Sequence, residues 1–419
     1  MRQVIFKWTS SISPALAILL ALTFLATQSS AQTFHVIYTF TGHSSSANPI
    51  AGVTLDQRGD LFGTTAWGGH FGAGTVFELK RTSGGQFLYG DLHDLGGGQD
   101  GSFPWGGITI GPNGALFGTT YTGGSAGSGI IFELRPSPTF CRTVICPWNE
   151  TVLYNFQRQD DGGDPQASVV FDASGNFYGT VVNGGSGNSG VVYEMTPSNG
   201  GWTYHVLYPF TGGADGANPD SLLTFDHAGN MYGSALAGGN PGCEGYGCGT
   251  IFELSSSGSG WVDHTLYAFS DGSDGANPQS GVVMDSVGNL YSATSGSDGA
   301  PGGTVFELTP GAGNWNFNLI NDLPGQGLGP TNRLLRDSTG NLYGTTWGGG
   351  AYGNGNVFKL TPTNDGWIYT SLHDFTGGTD GGNAEGDLVM DSNGNLFGTT
   401  YMGGLQSCGF CGVVFEITP

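Results

Sequence analysis

From Gly59 onward the chain alternates short apolar runs with glycine-rich polar stretches, in a pattern that returns every 52 to 61 residues. The most regular segment reads GDLFGTT from Gly59, GALFGTT from Gly114, GNFYGTV from Gly175, GNMYGSA from Gly229, GNLYSAT from Gly288, GNLYGTT from Gly340 and GNLFGTT from Gly394. About 15 residues after each comes a second apolar run of the VFEL type, at Val76, Ile131, Val192, Ile251, Val305, Val357 and Val414. A third precedes the first and ends in aspartate, at Asp56, Asp172, Asp226, Asp285, Asp337 and Asp391, with Gly111 in the second copy. A fourth follows VFEL and is typified by HVLYPF from His205 and HTLYAF from His264. Runs this short, bounded by Gly, Asn, Asp and Pro, predict strands. Four strands per repeat and seven repeats predict an all-β, seven-bladed β-propeller with four-stranded antiparallel blades, and not a helical solenoid. The strands are named a (ending in Asp), b (GNLYGTT), c (VFEL) and d (LYxF).

The a–b connection, Asp-x-x-Gly, has the composition of a type I turn, with the aspartate accepting backbone N–H bonds and the glycine at positive φ. Those aspartates are therefore expected to be structural. The first strand-like run, FHVIYTF from Phe34, is of the d type, whereas the chain finishes on a, b and c. Exposed sheet edges are a liability that ring closure removes, so the N-terminal strand is expected to complete blade 7.

Composition adjusts this picture without overturning it. Of 419 residues 79 are Gly and 19 Pro, which would suit disorder or collagen, but hydrophobic residues make up 37% and glycine has no period of three. Only 11% of residues are charged, and acids outnumber bases 33 to 11, so the surface repels nucleic acid and anionic lipid. Residues 1–31 read as a signal peptide, with Arg2 and Lys7 ahead of an apolar run from Ala15 to Ala26 and small residues up to Ala31. Its removal leaves nine bases against 33 acids. No later segment is apolar enough for stable membrane insertion, so the expected location is periplasmic or secreted. Residues 32–419 form the propeller.

The repeats, with consensus DGxxPxxxLxxDxxGNLYGTTxxGGxxxxGTVFELTP, resemble the GloVer tandem repeats of exported bacterial proteins across essentially the whole mature chain. The resemblance implies export and a propeller-like array, and it brings no catalytic residues to carry over. The chain is expected to differ from anchored members in lacking a C-terminal tail. A weaker similarity links GNLYGTT to the GNIYVAD-like strand of NHL and streptogramin-lyase propellers.

In an up-and-down blade the b–c and d–a loops share one face, and loops on a rigid scaffold are where binding usually resides. Four b–c loops open with an aromatic: Trp67, Tyr121, Trp347 and Tyr401. Trp105 and Arg333, near the starts of two a strands, point to the same face. Such an arc suits stacking on sugar or another flat ligand; the competing reading has each ring packing locally on its Gly-Gly loop. Trp148, Trp202, Trp261, Trp315 and Trp367 recur just before strand d and are assigned to inter-blade packing. The d–a aspartates Asp100, Asp161, Asp215, Asp274 and Asp380 precede glycine and read as turn chemistry rather than Ca²⁺ ligands.

His93 and His373 occupy a strand-d position where other blades carry Tyr, which suggests half-buried packing. Separate blades are expected to keep histidines apart, so no metal or cofactor is expected. Catalytic triads, HExxH, P-loop and dinucleotide motifs do not occur. Six cysteines in close pairs, Cys141 with Cys146, Cys243 with Cys248 and Cys408 with Cys411, are expected to form local disulfides. The expected function is a non-catalytic binding propeller for polysaccharide or a cell-envelope component. Its rivals are a polymer-acting lyase or hydrolase at the central funnel and a structural or adhesive module. An enzyme should bring two or more of His, Asp, Glu or Arg together at the funnel; a binder needs only the rings. Oligomeric state is left open.

Overall fold

Each VFEL run is the spine of a four-stranded antiparallel sheet, paired on one side with strand b and on the other with strand d. In the computed structural model, which describes residues 32–42, 46–137, 146, 148–258, 260–296, 302–323, 329–330, 332–405 and 411–418, seven such sheets follow one another. Blade 1 comprises Thr54–Leu55, Leu61–Thr65, Thr75–Arg81 and Phe87–Asp94 in the order a-b-c-d. Blade 7 comprises Val389–Met390, Leu396–Thr400 and Val413–Thr418, closed by Thr33–Thr39 as its fourth strand. The expected one-plus-three closure is thus present, in a register that places Phe34 opposite Ile417 and Val36 opposite Phe415. The expected signal peptide lies outside the described residues.

Strand b is buried on both faces, and its central glycine has a specific reason. In blade 2, Gly118 pairs with Phe132 of strand c, and a Cβ on Gly118 would stand 2.5 Å from the tip of the Phe132 ring. The same ring-over-glycine pair recurs as Gly63–Phe77, Gly233–Phe252, Gly344–Phe358 and Gly398–Phe415. Gly179 takes the corresponding place beneath Tyr193. The glycine makes room for a ring of its own blade, and not merely for crowding at the axis. The a–b turns follow expectation. Asp172, for example, accepts from the backbone N–H groups of Ser174 and Asn176, while Gly175 takes φ 87°.

Two aromatic contacts join neighbouring blades. The repeated tryptophan lies inside strand d, not before it, and packs on the preceding blade's strand b: Trp148 against Phe62, Trp202 against Phe117, Trp315 against Tyr232 and Trp367 against Tyr291. A second contact joins the d strands themselves. Tyr38 stacks on Tyr89 at 4.1 Å, Tyr154 on Tyr204 at 4.0 Å, Tyr267 on Phe317 at 4.8 Å and His373 on Phe34 at 3.7 Å. Each pair sets a strand-d residue near the d–a loop of one blade against the fourth residue earlier in the d register of the next.

The first of those residues is held by the d–a aspartate. Tyr154 donates to Asp161, Tyr267 to Asp274 and Tyr208 to Asp215, and Asp380 lies 3.1 Å from His373 Nε2. The same aspartates accept a backbone N–H four residues earlier, as Asp161 does from Gln157. The expectation that the Asp-Gly loops are turn chemistry therefore holds at these positions.

Deleting residues 32–41 removes the closing strand and leaves the strand-c edge of blade 7 bare; the melting temperature should fall by more than ~10 °C. Circular dichroism melts measure it, and an unchanged midpoint would refute the closure. Gly118→Ala should cost about 1–3 kcal/mol by overpacking against Phe132. Combining it with Phe132→Leu should return part of the lost stability in denaturant titrations.

Candidate functional site

The a strands are two residues long and lie innermost, so the segment leading into each one faces the propeller axis. Together these segments line a cavity of about 780 Å³. Its wall is built from seven copies of one lead-in segment whose inward residues differ from blade to blade. A residue in left-handed conformation begins most of these segments: Asn48, Asn218, Asn277 and Asn383 have φ between 55° and 58°, and Asp164 has 59°. The asparagine side chain fastens its loop to the preceding blade's b–c loop, Asn48 donating to the Tyr401 carbonyl, Asn218 to Val182 and Asn383 to Trp347. Asn is among the few residues that reach αL at little cost. Two residues further on comes the inward position, occupied by Ile50, Trp105, Gln166, Asp220, Gln279 and Glu385, all of which line the cavity.

The polar members of this ring are partly buried. Burial pushes the Asp220 carboxyl up to about 7, and Glu385 likewise up to about 7. Asp220 Oδ2 accepts from Gln279 Nε2 at 3.4 Å, while its Oδ1 is buried without a hydrogen-bond partner. Two residues deeper stand Arg333 and Asp387. The Arg333 backbone N–H donates to Asp387 Oδ1 at 2.8 Å. The Arg333 guanidinium lies across the wall of blades 5 and 4, with Nε donating to the Val282 carbonyl at 3.2 Å and one terminal nitrogen to Thr224 Oγ1 at 3.1 Å. Burial lowers the Arg333 pKa and raises that of Asp387, each opposed by the charge of the other.

The aromatics expected as one arc are distributed differently. Trp105 reaches the cavity and stacks on Tyr121 at 4.4 Å, nearly parallel. Trp347 and Tyr401 meet across blades 6 and 7 at 5.4 Å. Trp67 stays on the rim, 47% exposed, edge-on to Phe103 at 4.4 Å. Phe103 fills the left-handed position that asparagine holds elsewhere, at φ 56°. A bulky residue there carries strain of about 1–3 kcal/mol, and the Trp67 contact stands where other blades have an amide staple. The rings thus pair with one another, instead of lying singly on their Gly-Gly loops. Arg333 lines the cavity, but at least two of its donors are already engaged with the wall.

The sequence reading did not identify Gln166, Asp220, Gln279, Glu385 or Asp387. The signal was available, because the residues leading into strand a differ in kind from blade to blade while the strand motifs beside them repeat. The convergence of Asp220, Glu385, Asp387 and Arg333 on one cavity meets the condition set for an enzyme, so the cavity's charges do not by themselves separate binder from catalyst.

Elsewhere, Cys243 and Cys248 form the expected disulfide, with Cα atoms 5.3 Å apart in the b–c loop of blade 4. Cys146 and Cys411 are disulfide-bonded too; Cys141 and Cys408 lie outside the described residues. Among the described residues no helix is long and apolar enough to cross a membrane. At one blade junction a single histidine meets two carboxylates. His93 Nε2 of blade 1 lies 3.7 Å from Glu150 Oε2 of blade 2 and 3.3 Å from Asp100 Oδ1.

Several solved structures match the chain at low identity. A putative 6-phosphogluconolactonase from Bacteroides uniformis is 15% identical, with a TM-score of 0.49 over 82% of this chain and 88% of that one. A protein of unknown function from Dyadobacter fermentans is 12% identical, with a TM-score of 0.47 over 93% and 99%. A mutant of AofleA from Arthrobotrys oligospora is 10% identical, with a TM-score of 0.42 over 81% and 90%. No curated protein sequence matches the chain. The sequence itself matches the Gloeobacter/Verrucomicrobia repeat over residues 23–243, 146–321 and 300–419, as the motifs GNLYGTT and VFEL suggested. The chain belongs to the Gloeobacter/Verrucomicrobia repeat family.

Proposed function

We propose that this chain is an exported binding propeller that takes a polyhydroxylated ligand, such as the end or a branch of a polysaccharide, into the axial cavity. The observation that carries the reading is the convergence of unlike side chains, Ile50, Trp105, Gln166, Asp220, Gln279 and Glu385, on one axial cavity. Folding alone asks the same residue of every blade. Unlike residues at the inward positions, here and two residues deeper at Arg333 and Asp387, are what ligand recognition asks for.

The side chains suit a sugar. Trp105, backed by Tyr121, offers a flat apolar face of the kind that stacks on a pyranose. Gln166 and Gln279 carry amides that both donate and accept, matching hydroxyls, which do the same. Asp220 brings a carboxyl oxygen that has no partner within the protein. A largely preformed pocket with few polar groups is the usual form of a small-ligand site. Export is supported by the Cys243–Cys248 disulfide, since such bonds persist in oxidising compartments.

A second reading is favoured by one observation. Two carboxyls with pKa values pushed up to about 7 stand in one cavity, and groups poised near the working pH are suited to general acid–base chemistry. In that reading the same cavity cleaves the glycan it binds.

Glycan-array binding followed by calorimetry on the best ligand should show Trp105→Ala and Asp220→Asn weakened at least ~10-fold, with Trp67→Ala within about 2-fold of wild type. Equal affinity in all four proteins would remove the axial site, and loss in Trp67→Ala alone would return the site to the rim. Chromatography of the ligand after incubation decides the second reading: shorter products from wild type and none from Asp220→Asn would establish cleavage.

The raised carboxyls also set a pH dependence. In the folded protein Asp220 and Glu385 hold their protons more tightly than in the unfolded chain, so stability is lost as pH rises from the ordinary carboxyl range through about 7. Asp220→Asn removes part of that loss. Its melting temperature should match wild type at pH 4 and exceed it by ~2–5 °C at pH 8; a difference of the opposite sign would show the Asp220 carboxylate to be stabilising.

A further inference from the structure

The blade 1–blade 2 junction departs from its neighbours. Where four other junctions stack two rings between adjacent d strands, this one sets His93 against a carboxylate, Glu150. Glu150 lies in strand d of blade 2, opposite Leu134, the position that Tyr204 fills in blade 3 opposite Met195. The Asp100 carboxylate of the intervening d–a loop completes a group of three. Its ligand atoms, one from each side chain, lie within 4.8 Å of one another.

As a packing solution this is poor. A ring pair is replaced by two acids drawn together at a blade interface, and unpaired charge is expensive to bury. The Glu150 side chain is only 8% exposed, and its Oε1 is buried with no hydrogen-bond partner. The blade 3–blade 4 junction also carries an acid, Asp263, but it faces a tyrosine, Tyr208. The described residues contain one other group of metal-ligand type, and that one includes the disulfide-bonded Cys243 and Cys248.

We propose that His93, Asp100 and Glu150 form a divalent transition-metal site that clamps blade 1 to blade 2, with Zn²⁺ or Mn²⁺ as the cation its one imidazole and two carboxylates fit. The spacing supports this. Ligands about 2.0–2.2 Å from a tetrahedral ion stand roughly 3.3–3.5 Å apart, and His93 Nε2 lies 3.3 Å from Asp100 Oδ1 and 3.7 Å from Glu150 Oε2. Imidazole with carboxylate is a donor set for Zn²⁺ and Mn²⁺, whereas Ca²⁺ takes oxygen ligands alone. His93 and Asp100 remain 19% and 30% exposed, which leaves a route for the ion and for water as a further ligand.

The site has a position that matters for the axial cavity. Asp100 begins the loop that runs through Phe103, with its left-handed backbone, to Trp105. An ion held by Asp100 would fix that loop from its far end.

The test uses untagged protein stripped with chelator, with Zn²⁺ and Mn²⁺ added separately in isothermal titration calorimetry and thermal melts. Wild type should bind one equivalent of at least one of the two ions and melt several degrees higher with it. Glu150→Gln should weaken binding ~100-fold or more. Glu150→Tyr rebuilds the ring pair of the other junctions; it should fold at least as stably as metal-free wild type and gain nothing from metal. Stoichiometric binding that survives Glu150→Gln and Glu150→Tyr would place the ion elsewhere and overturn the proposal. So would the absence of stoichiometric binding in wild type.

Discussion

Six of the seven blades rest on one cross-strand pair, an aromatic ring of strand c laid over a glycine of strand b. Blades stand closest together toward the axis, and strand b is buried on both faces, so it has no room for a side chain and a neighbour's ring at once. Putting the bulk on strand c and none on strand b resolves this, as with Phe132 over Gly118. The arrangement is local in sequence, within about 15 residues, so each repeat can begin its own blade without waiting for distant contacts. Blade 5 departs, with Ser292 in place of glycine opposite Phe306, and its hydroxyl is tied to Ser280 and the Gly281 carbonyl. Once the pair is in place, the tryptophan of strand d has a fixed surface to meet on the preceding blade, and the ring closes on repeated contacts.

The fold was legible because these constraints act through repetition. Seven copies of GNLYGTT and VFEL carry the strand count, the turn chemistry and the closure by a d-type strand at the N-terminus. What stayed hidden depends on neighbours in space. Trp105 and Trp67 both look like exposed loop aromatics in the sequence, yet one reaches the cavity beside Tyr121 and the other stays on the rim against Phe103. Glu150 aligns with tyrosines at its own register position and attracts no notice there. Its meaning comes from His93, which pairs with it only because adjacent blades are offset by four residues along strand d. That offset belongs to the ring geometry and has no local sequence signature.

Asp220 and Glu385 show how repetition becomes useful for function. A propeller must close, so the wall positions that touch the next blade are bound to a narrow choice of residues. The position two residues after the left-handed residue faces the axis and differs from blade to blade, although Asp220 and Gln279 still meet across blades 4 and 5. Its variation is patterned: Trp105 and Gln166 adjoin on blades 2 and 3, Asp220 and Gln279 on blades 4 and 5, with Ile50 and Glu385 on the blades across the closure. A ring with an aromatic on one blade and carboxyls on two others can orient an asymmetric ligand, which a seven-fold symmetric wall could not.

The same reasoning separates the cavity from the His93 junction. In the cavity, a polar residue costs little more than an apolar one unless it is cut off from water, and variety there needs no compensation. At a blade interface, replacing a ring pair by His93, Asp100 and Glu150 removes aromatic contact and brings two carboxyls together beside one imidazole, with Glu150 Oε1 buried and without a hydrogen-bond partner. Stability alone would favour a tyrosine at position 150, as at Tyr204 in the next blade. An arrangement that opposes the pattern of its own repeats, in a contact that four other junctions use for cohesion, points to a requirement that the bare chain does not satisfy by itself.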